Sequence, residues 1–73
     1  MITLEEFKIR VEQHDLTSEY SDDHRVWQAG ANDYRAICNL AEQLPRADVV
    51  KIWNDQVDEK LSVGAREEFY WSL

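Results

Sequence analysis

The sequence predicts an all-α fold, a small three-helix bundle with a short C-terminal helical turn or docked tail. Two observations carry that expectation. The 73 residues include 2 glycines and 1 proline, and no run alternates β-branched with polar residues, so strands have little support. Apolar residues instead recur at helical spacing in three places, each bounded by a start or stop signal. Helices are expected over about 3–15, 22–44 and 46–63, followed by a tail over 65–73, all within one domain, 1–73.

The first helix opens on "TLEE", a capping box in which the Thr3 hydroxyl accepts the backbone N–H of Glu6 and the Glu6 carboxylate reaches back. Leu4, Phe7, Val11 and His14 then share one face, and Ile9 points away from it. "LTSEYS" holds Ser and Thr but no helical stripe, and is expected to be a connector.

The second helix is the longest. Ser21 is the expected N-cap, with Asp22 and Asp23 placed to favour the positive end of the helix dipole. Leu44 precedes Pro45 and is pushed out of helical geometry, which ends the helix there. Its apolar stripe of Val26, Trp27, Ala29, Tyr34, Ile37, Leu40, Ala41 and Leu44 is wide enough to pack against two other helices. Gly30 interrupts it. A glycine here lowers helix stability by about 1 kcal/mol relative to alanine, so it is expected to admit a close helix crossing.

The third helix follows Pro45. Val50, Trp53, Val57 and Leu61 form its inward face, Val49 widens that face, Ile52 lies off it, and Gly64 is the expected left-handed cap. The tail "AREEFYWSL" places Phe69, Tyr70 and Trp71 in succession. Three consecutive helical residues span roughly 200° of arc, so one docking site cannot bury all three. The tail is expected either to dock with Phe69 near Phe7 and Val11 of the first helix, or to place Trp71 at a two-fold interface beside Ile9 or Ile52.

A chain this short buries a modest fraction of its surface, and its single cysteine, Cys38, rules out a disulfide within the chain. A lone cysteine fits a reducing compartment. No apolar run approaches the roughly 18 residues of a membrane-spanning helix, and charges thread the first 15 residues. The expectation is a soluble cytoplasmic protein with no membrane partner.

The net charge is −7. Within residues 1–25, the seven acids Glu5, Glu6, Glu12, Asp15, Glu19, Asp22 and Asp23 face the three bases Lys8, Arg10 and Arg25. Such acidity opposes nucleic-acid binding, which runs on Lys and Arg contacts to phosphate. It favours solubility and a basic protein partner. A helix-turn-helix reader needs a basic recognition helix. The third helix instead sets Arg46, Lys51 and Lys60 against Asp48, Asp55, Asp58 and Glu59.

Catalytic and metal signatures are absent from the sequence. Asp22, Asp23 and His24 are adjacent and point in different directions on a helix, and no HxxxH, CxxC or HExxH spacing occurs. Cys38 lies mid-helix, without the helix N-terminus that lowers a thiol pKa and without a local histidine base. Ser21 is expected to cap a helix and not to join a triad with the neighbouring acids and His24. A pocket of roughly 300 Å³, the lower range for small-molecule sites, is hard to build inside so small a bundle. No cofactor, metal or enzymatic activity is therefore expected.

The expected role is a non-enzymatic, acidic protein-binding module: an adaptor, regulator or inhibitor of a basic, nucleic-acid-handling protein. Its expected contact residues are Asp15, Glu19, Asp22 and Asp23 of the acidic first third, with Phe69, Tyr70 and Trp71 of the tail. The alternative is a dimeric nucleic-acid-associated transcriptional regulator.

Overall fold

The computed structural model describes all 73 residues. Three α-helices follow in order: α1 (Leu4–Gln13), α2 (His24–Ala41) and α3 (Arg46–Lys60). A 3-10 turn (Leu16–Tyr20) joins α1 to α2, a second (Val63–Ala65) follows α3, and there is no strand. The all-α bundle is the architecture the periodicity predicts. Packed against α1 are both α2 and α3, while the first 3-10 turn lies on α2.

The core is one cluster: Phe7, Val11, Leu16, Ile37, Ala41, Val49, Trp53, Val57 and Leu61. Trp53 is its largest fully buried side chain. Each helix supplies it from the face its spacing sets, with Phe7 and Val11 from α1 and Val49, Trp53 and Val57 from α3. Ile52, expected off the inward face, is half-buried and packed against this cluster.

The helices are shorter than their apolar patterns, and capping explains where they stop. Thr3 Oγ1 accepts the N–H of Glu6 at 3.1 Å, as the capping box predicts. The α2 cap is Asp23, not Ser21: its Oδ1 accepts the N–H of Arg25 at 2.9 Å. Ser21 Oγ instead accepts the N–H of Asp23 at 3.1 Å, so two short polar side chains in series define the turn into α2. Asp15 is used the same way, taking the Thr17 N–H and hydroxyl at 3.0 and 2.8 Å to start the first 3-10 turn.

Gly64 is not a left-handed cap, since no glycine has a positive φ. The end of α3 is satisfied by a side chain. Arg66 donates to the carbonyls of Leu61 at 2.9 Å and Asp58 at 2.7 Å, supplying donors that a Schellman turn would take from the backbone. Lys60 does the same for α1, its ammonium donating to the carbonyls of Val11, Glu12 and His14 at 3.3, 2.6 and 3.0 Å, where the helix dipole is negative.

The α2 stripe is only half used. Ile37 and Ala41 are buried, but Val26 and Trp27 stay exposed, at 40% and 42%. The amino-terminal half of α2 faces the first 3-10 turn, which approaches it at Gly30. A Cβ built on Gly30 would lie 1.8 Å from Ser18 Oγ and 2.5 Å from Ser18 Cβ. The glycine does mark a close approach, but the neighbour is a buried turn serine and not another α-helix.

Candidate functional site, an aromatic groove between α2 and the tail

The tail docks within the chain, on α3 and α2. Trp71 stacks on the buried Trp53 with ring centroids 4.7 Å apart and planes 9° from parallel. The Arg46 guanidinium lies 5.2 Å from the Trp71 ring and donates to the Ser72 carbonyl at 2.9 Å. Asn54 holds the Trp71 backbone at two points, accepting its N–H at 2.8 Å and donating to its carbonyl at 3.1 Å. Trp53 Nε1 donates to the Phe69 carbonyl at 2.6 Å. Phe69 is half-buried against the core, and its ring meets Tyr20 edge-on at 5.9 Å. Its aromatic partner thus comes from the connector and not from Phe7 on α1. The run is not helical, so the helical arc does not apply: Phe69 and Trp71 are half-buried, while Tyr70 is 41% exposed with its hydroxyl donating to Asp58.

Between this tail and the underused half of α2 lies an open groove of about 570 Å³. The sequence-based expectation that so small a bundle leaves no room for a pocket is therefore corrected. The space is not carved from the interior. It is the gap left because the 3-10 turn and the tail each cover only part of the wide α2 stripe. Aromatic rings dominate its lining, chiefly Trp27, Tyr34, Phe69, Tyr70 and Trp71 over a floor that includes Trp53. Tyr34 joins the layers: its ring meets Trp53 edge-on at 5.3 Å and its hydroxyl accepts the Trp71 indole N–H at 3.1 Å. Burial pushes the Tyr34 phenol up from its ordinary range.

Four polar groups reach the groove wall with more than packing to offer. Glu19 and Glu68 supply carboxylates and Arg35 a guanidinium. The fourth is His14, which is 6% exposed. Its Nδ1 lies 2.7 Å from Asp33 Oδ2, and Arg10 clamps the other carboxylate oxygen at 2.7 Å. An ionised carboxylate can only accept, so Nδ1 carries the proton that bonds Asp33, and in that neutral tautomer Nε2 is an acceptor. Nε2 has no hydrogen-bond partner in the chain, yet it is not sealed from solvent, since no buried polar side-chain atom is left unsatisfied. A carboxylate-oriented imidazole thus lines the groove, and its second nitrogen has no partner within the chain.

Of the expected contact residues, the fold brings Glu19, Phe69, Tyr70 and Trp71 together in this groove. Asp15 and Asp23 cap the two elements that frame it, and Asp22 is exposed beside the second cap. Sequence reasoning placed Trp27 and Tyr34 on a packing stripe and assigned none of His14, Arg35, Cys38 and Glu68 to a site: His14 was read as part of the first helix's inward face and Cys38 as no nucleophile. The width of the α2 stripe suited packing against two other helices, but in the fold α2 packs on α1 and the first 3-10 turn, which leaves Trp27 and Tyr34 partly uncovered. His14 and Asp33 lie 19 positions apart, so nothing local announced their pairing.

No family model, curated protein or solved structure matches this chain. No three His, Cys, Asp or Glu side chains converge in a way that could hold a metal ion, and no helix is long and apolar enough to cross a membrane. Cys38 lines the groove, but the hydrogen bonds join His14 to Asp33 and not to its thiol.

Proposed function

We propose that this chain is a non-enzymatic protein-binding module, an acidic adaptor, regulator or inhibitor, and that the aromatic groove is its contact surface. One observation carries the reading: an open groove whose exposed rings, Trp27, Tyr34 and Tyr70, are flanked by the carboxylates of Glu19 and Glu68. Tyr and Trp are the residues most enriched where interfaces concentrate binding energy. A net charge of −7 suits a basic partner, whose approach it would accelerate.

The alternative, a nucleic-acid-associated regulator, draws less support from the placement of the cations. A basic stripe would need Arg10, Arg25, Arg35, Arg46 and Lys51 to be free together. Arg10 is paired with Asp33, Lys51 with Asp55, and Arg46 is held by Trp71 and Ser72. Phosphate would have to compete for each of these.

The test is capture of partners from the source cell by the full chain, compared with Trp27→Ala in the groove and Ile9→Ala outside it. Both residues are exposed, at 42% and 46%, so both variants keep the fold. A protein retained by the wild type and Ile9→Ala but lost with Trp27→Ala is the expected result. Equal retention by all three overturns the groove reading, and retardation of duplex DNA by the purified chain favours the alternative.

A further inference from the structure

We propose that the groove receives a lysine side chain of a protein partner, whose ammonium group donates to His14 Nε2 while its stem lies along the rings of Trp27, Tyr34 and Tyr70. This rests on the protein-binding reading of the groove and names the chemistry of the anchor.

Three features of the groove converge on a compact cation. The first is the acceptor. His14 is more than nine-tenths buried, its orientation is fixed by Asp33 and Arg10, and Nε2 is the nitrogen left without a partner. Nε2 keeps contact with solvent, since no buried polar side-chain atom is left unsatisfied, so a ligand N–H can take the place of water on an acceptor whose orientation is already set. The second is the wall. Aromatic faces attract cations through their quadrupole, and aromatic cages are the usual device for holding ammonium groups. Trp27, backed by His24 at 5.9 Å, joins Tyr34 and Tyr70 in supplying such faces. The third is the rim, where Glu19 and Glu68 outnumber Arg35. Tyr20 donates to Glu68 Oε2 at 2.7 Å, which orients that carboxylate and leaves its other oxygen available.

The same features choose lysine over the other donors. A tryptophan or tyrosine anchor could supply one N–H or O–H but would gain nothing from two rim carboxylates. Arginine presents a planar fork that pairs best with both oxygens of one carboxylate, and Tyr20 already holds one oxygen of Glu68, while the wall acceptor is a single nitrogen. A lysine ammonium has three rotatable donors on a long apolar stem, suited to one imidazole acceptor and a carboxylate beyond a ring of aromatics.

The test is NMR titration of the isotope-labelled full chain with N-acetyl-lysine methylamide, beside its norleucine counterpart and its side-chain-acetylated counterpart, which keep the stem and lose the charge. The lysine probe is expected to move the indole N–H signals of Trp27 and Trp71 and the His14 ring signals saturably, with both neutral probes roughly tenfold weaker. Because His14 is buried and its replacement threatens the fold, the deciding variants are Glu19→Gln and Glu68→Gln. Each is expected to weaken the lysine probe several-fold and leave the norleucine probe unchanged. Norleucine binding as tightly as lysine overturns the lysine inference while leaving an apolar protein-binding groove in place. Movement of none of these signals also overturns it, and the Trp27→Ala capture then decides the broader reading by itself.

Discussion

Gly30 shows how one missing side chain places an element. Helix propensity alone favours alanine there by about 1 kcal/mol. Against this stands Ser18, which is buried and anchored by a hydroxyl bond to the Asp15 carbonyl at 2.8 Å. A Cβ at 2.5 Å from Ser18 Cβ forces the turn itself to move, because Cβ cannot rotate away. Gly30→Ala is expected to destabilise the chain by about 1–3 kcal/mol, the range for overpacked sites. Adding Ser18→Gly should restore most of the loss, and denaturant unfolding of the two variants measures both effects. A single variant more stable than the wild type would mean that the turn is free to shift. Tyr20 offers a second residue-scale test. Its hydrogen bond to Glu68 holds the phenol protonated and pushes its pKa up from 10.0 to about 12. A phenol kept protonated in the folded chain stabilises it fully below pH 10, and that contribution fades as pH rises through about 12. Melting temperature is therefore expected to fall across this alkaline window. The fall should be shallower in Tyr20→Phe.

At the scale of elements, the tail is the part that local sequence rules describe least well. It has no helix of its own beyond the Val63–Ala65 turn, and its position comes from side chains that reach its backbone. Asn54 makes both bonds to Trp71, and Trp53 and Arg46 take the carbonyls of Phe69 and Ser72. Asn54→Ala leaves α3 with a better helix former but removes both ends of the Trp71 clamp. Its expected cost is about 1–3 kcal/mol, the range for stranding partly buried donors and acceptors. It should also blue-to-red shift Trp71 emission as that ring loosens from Trp53. Unchanged stability and unchanged fluorescence would mean that ring stacking alone seats the tail. The connector follows the opposite logic. Asp15, Ser21 and Asp23 each accept a nearby backbone N–H, so its path is set by bonds within a few residues.

Across the whole molecule, 15 acids and 8 bases share a body of 34 × 26 × 18 Å, so like charges are crowded. Raising ionic strength from about 0.01 to 0.15 M shortens the screening length from about 30 to 8 Å, less than the molecule's width. Weakened self-repulsion should outweigh weakened surface pairs such as Lys51–Asp55, whose worth in water is small. The melting temperature is expected to rise by a few degrees over that range in calorimetry. A fall would show that attractive ion pairs such as Arg10–Asp33 outweigh the self-repulsion.

The sequence alone determined the helical class, the inward faces of α1 and α3, the Thr3 cap and the core position of Trp53. Each rests on periodicity or on bonds a few residues long, which a linear pattern records. It also signalled that Phe69, Tyr70 and Trp71 could not share one burial site. Tertiary structure decided the rest. Whether Trp27 and Tyr34 are core or groove depends on how much of α2 the turn and the tail cover, and that is set by the Ser18–Gly30 approach and the Asn54 clamp. Legible at the groove were Glu19 and the three tail aromatics. His14 was not, because its meaning lies in Asp33 and Arg10 on two different helices. An unpaired imidazole nitrogen is a property of three-dimensional neighbours, and no spacing along the chain encodes it.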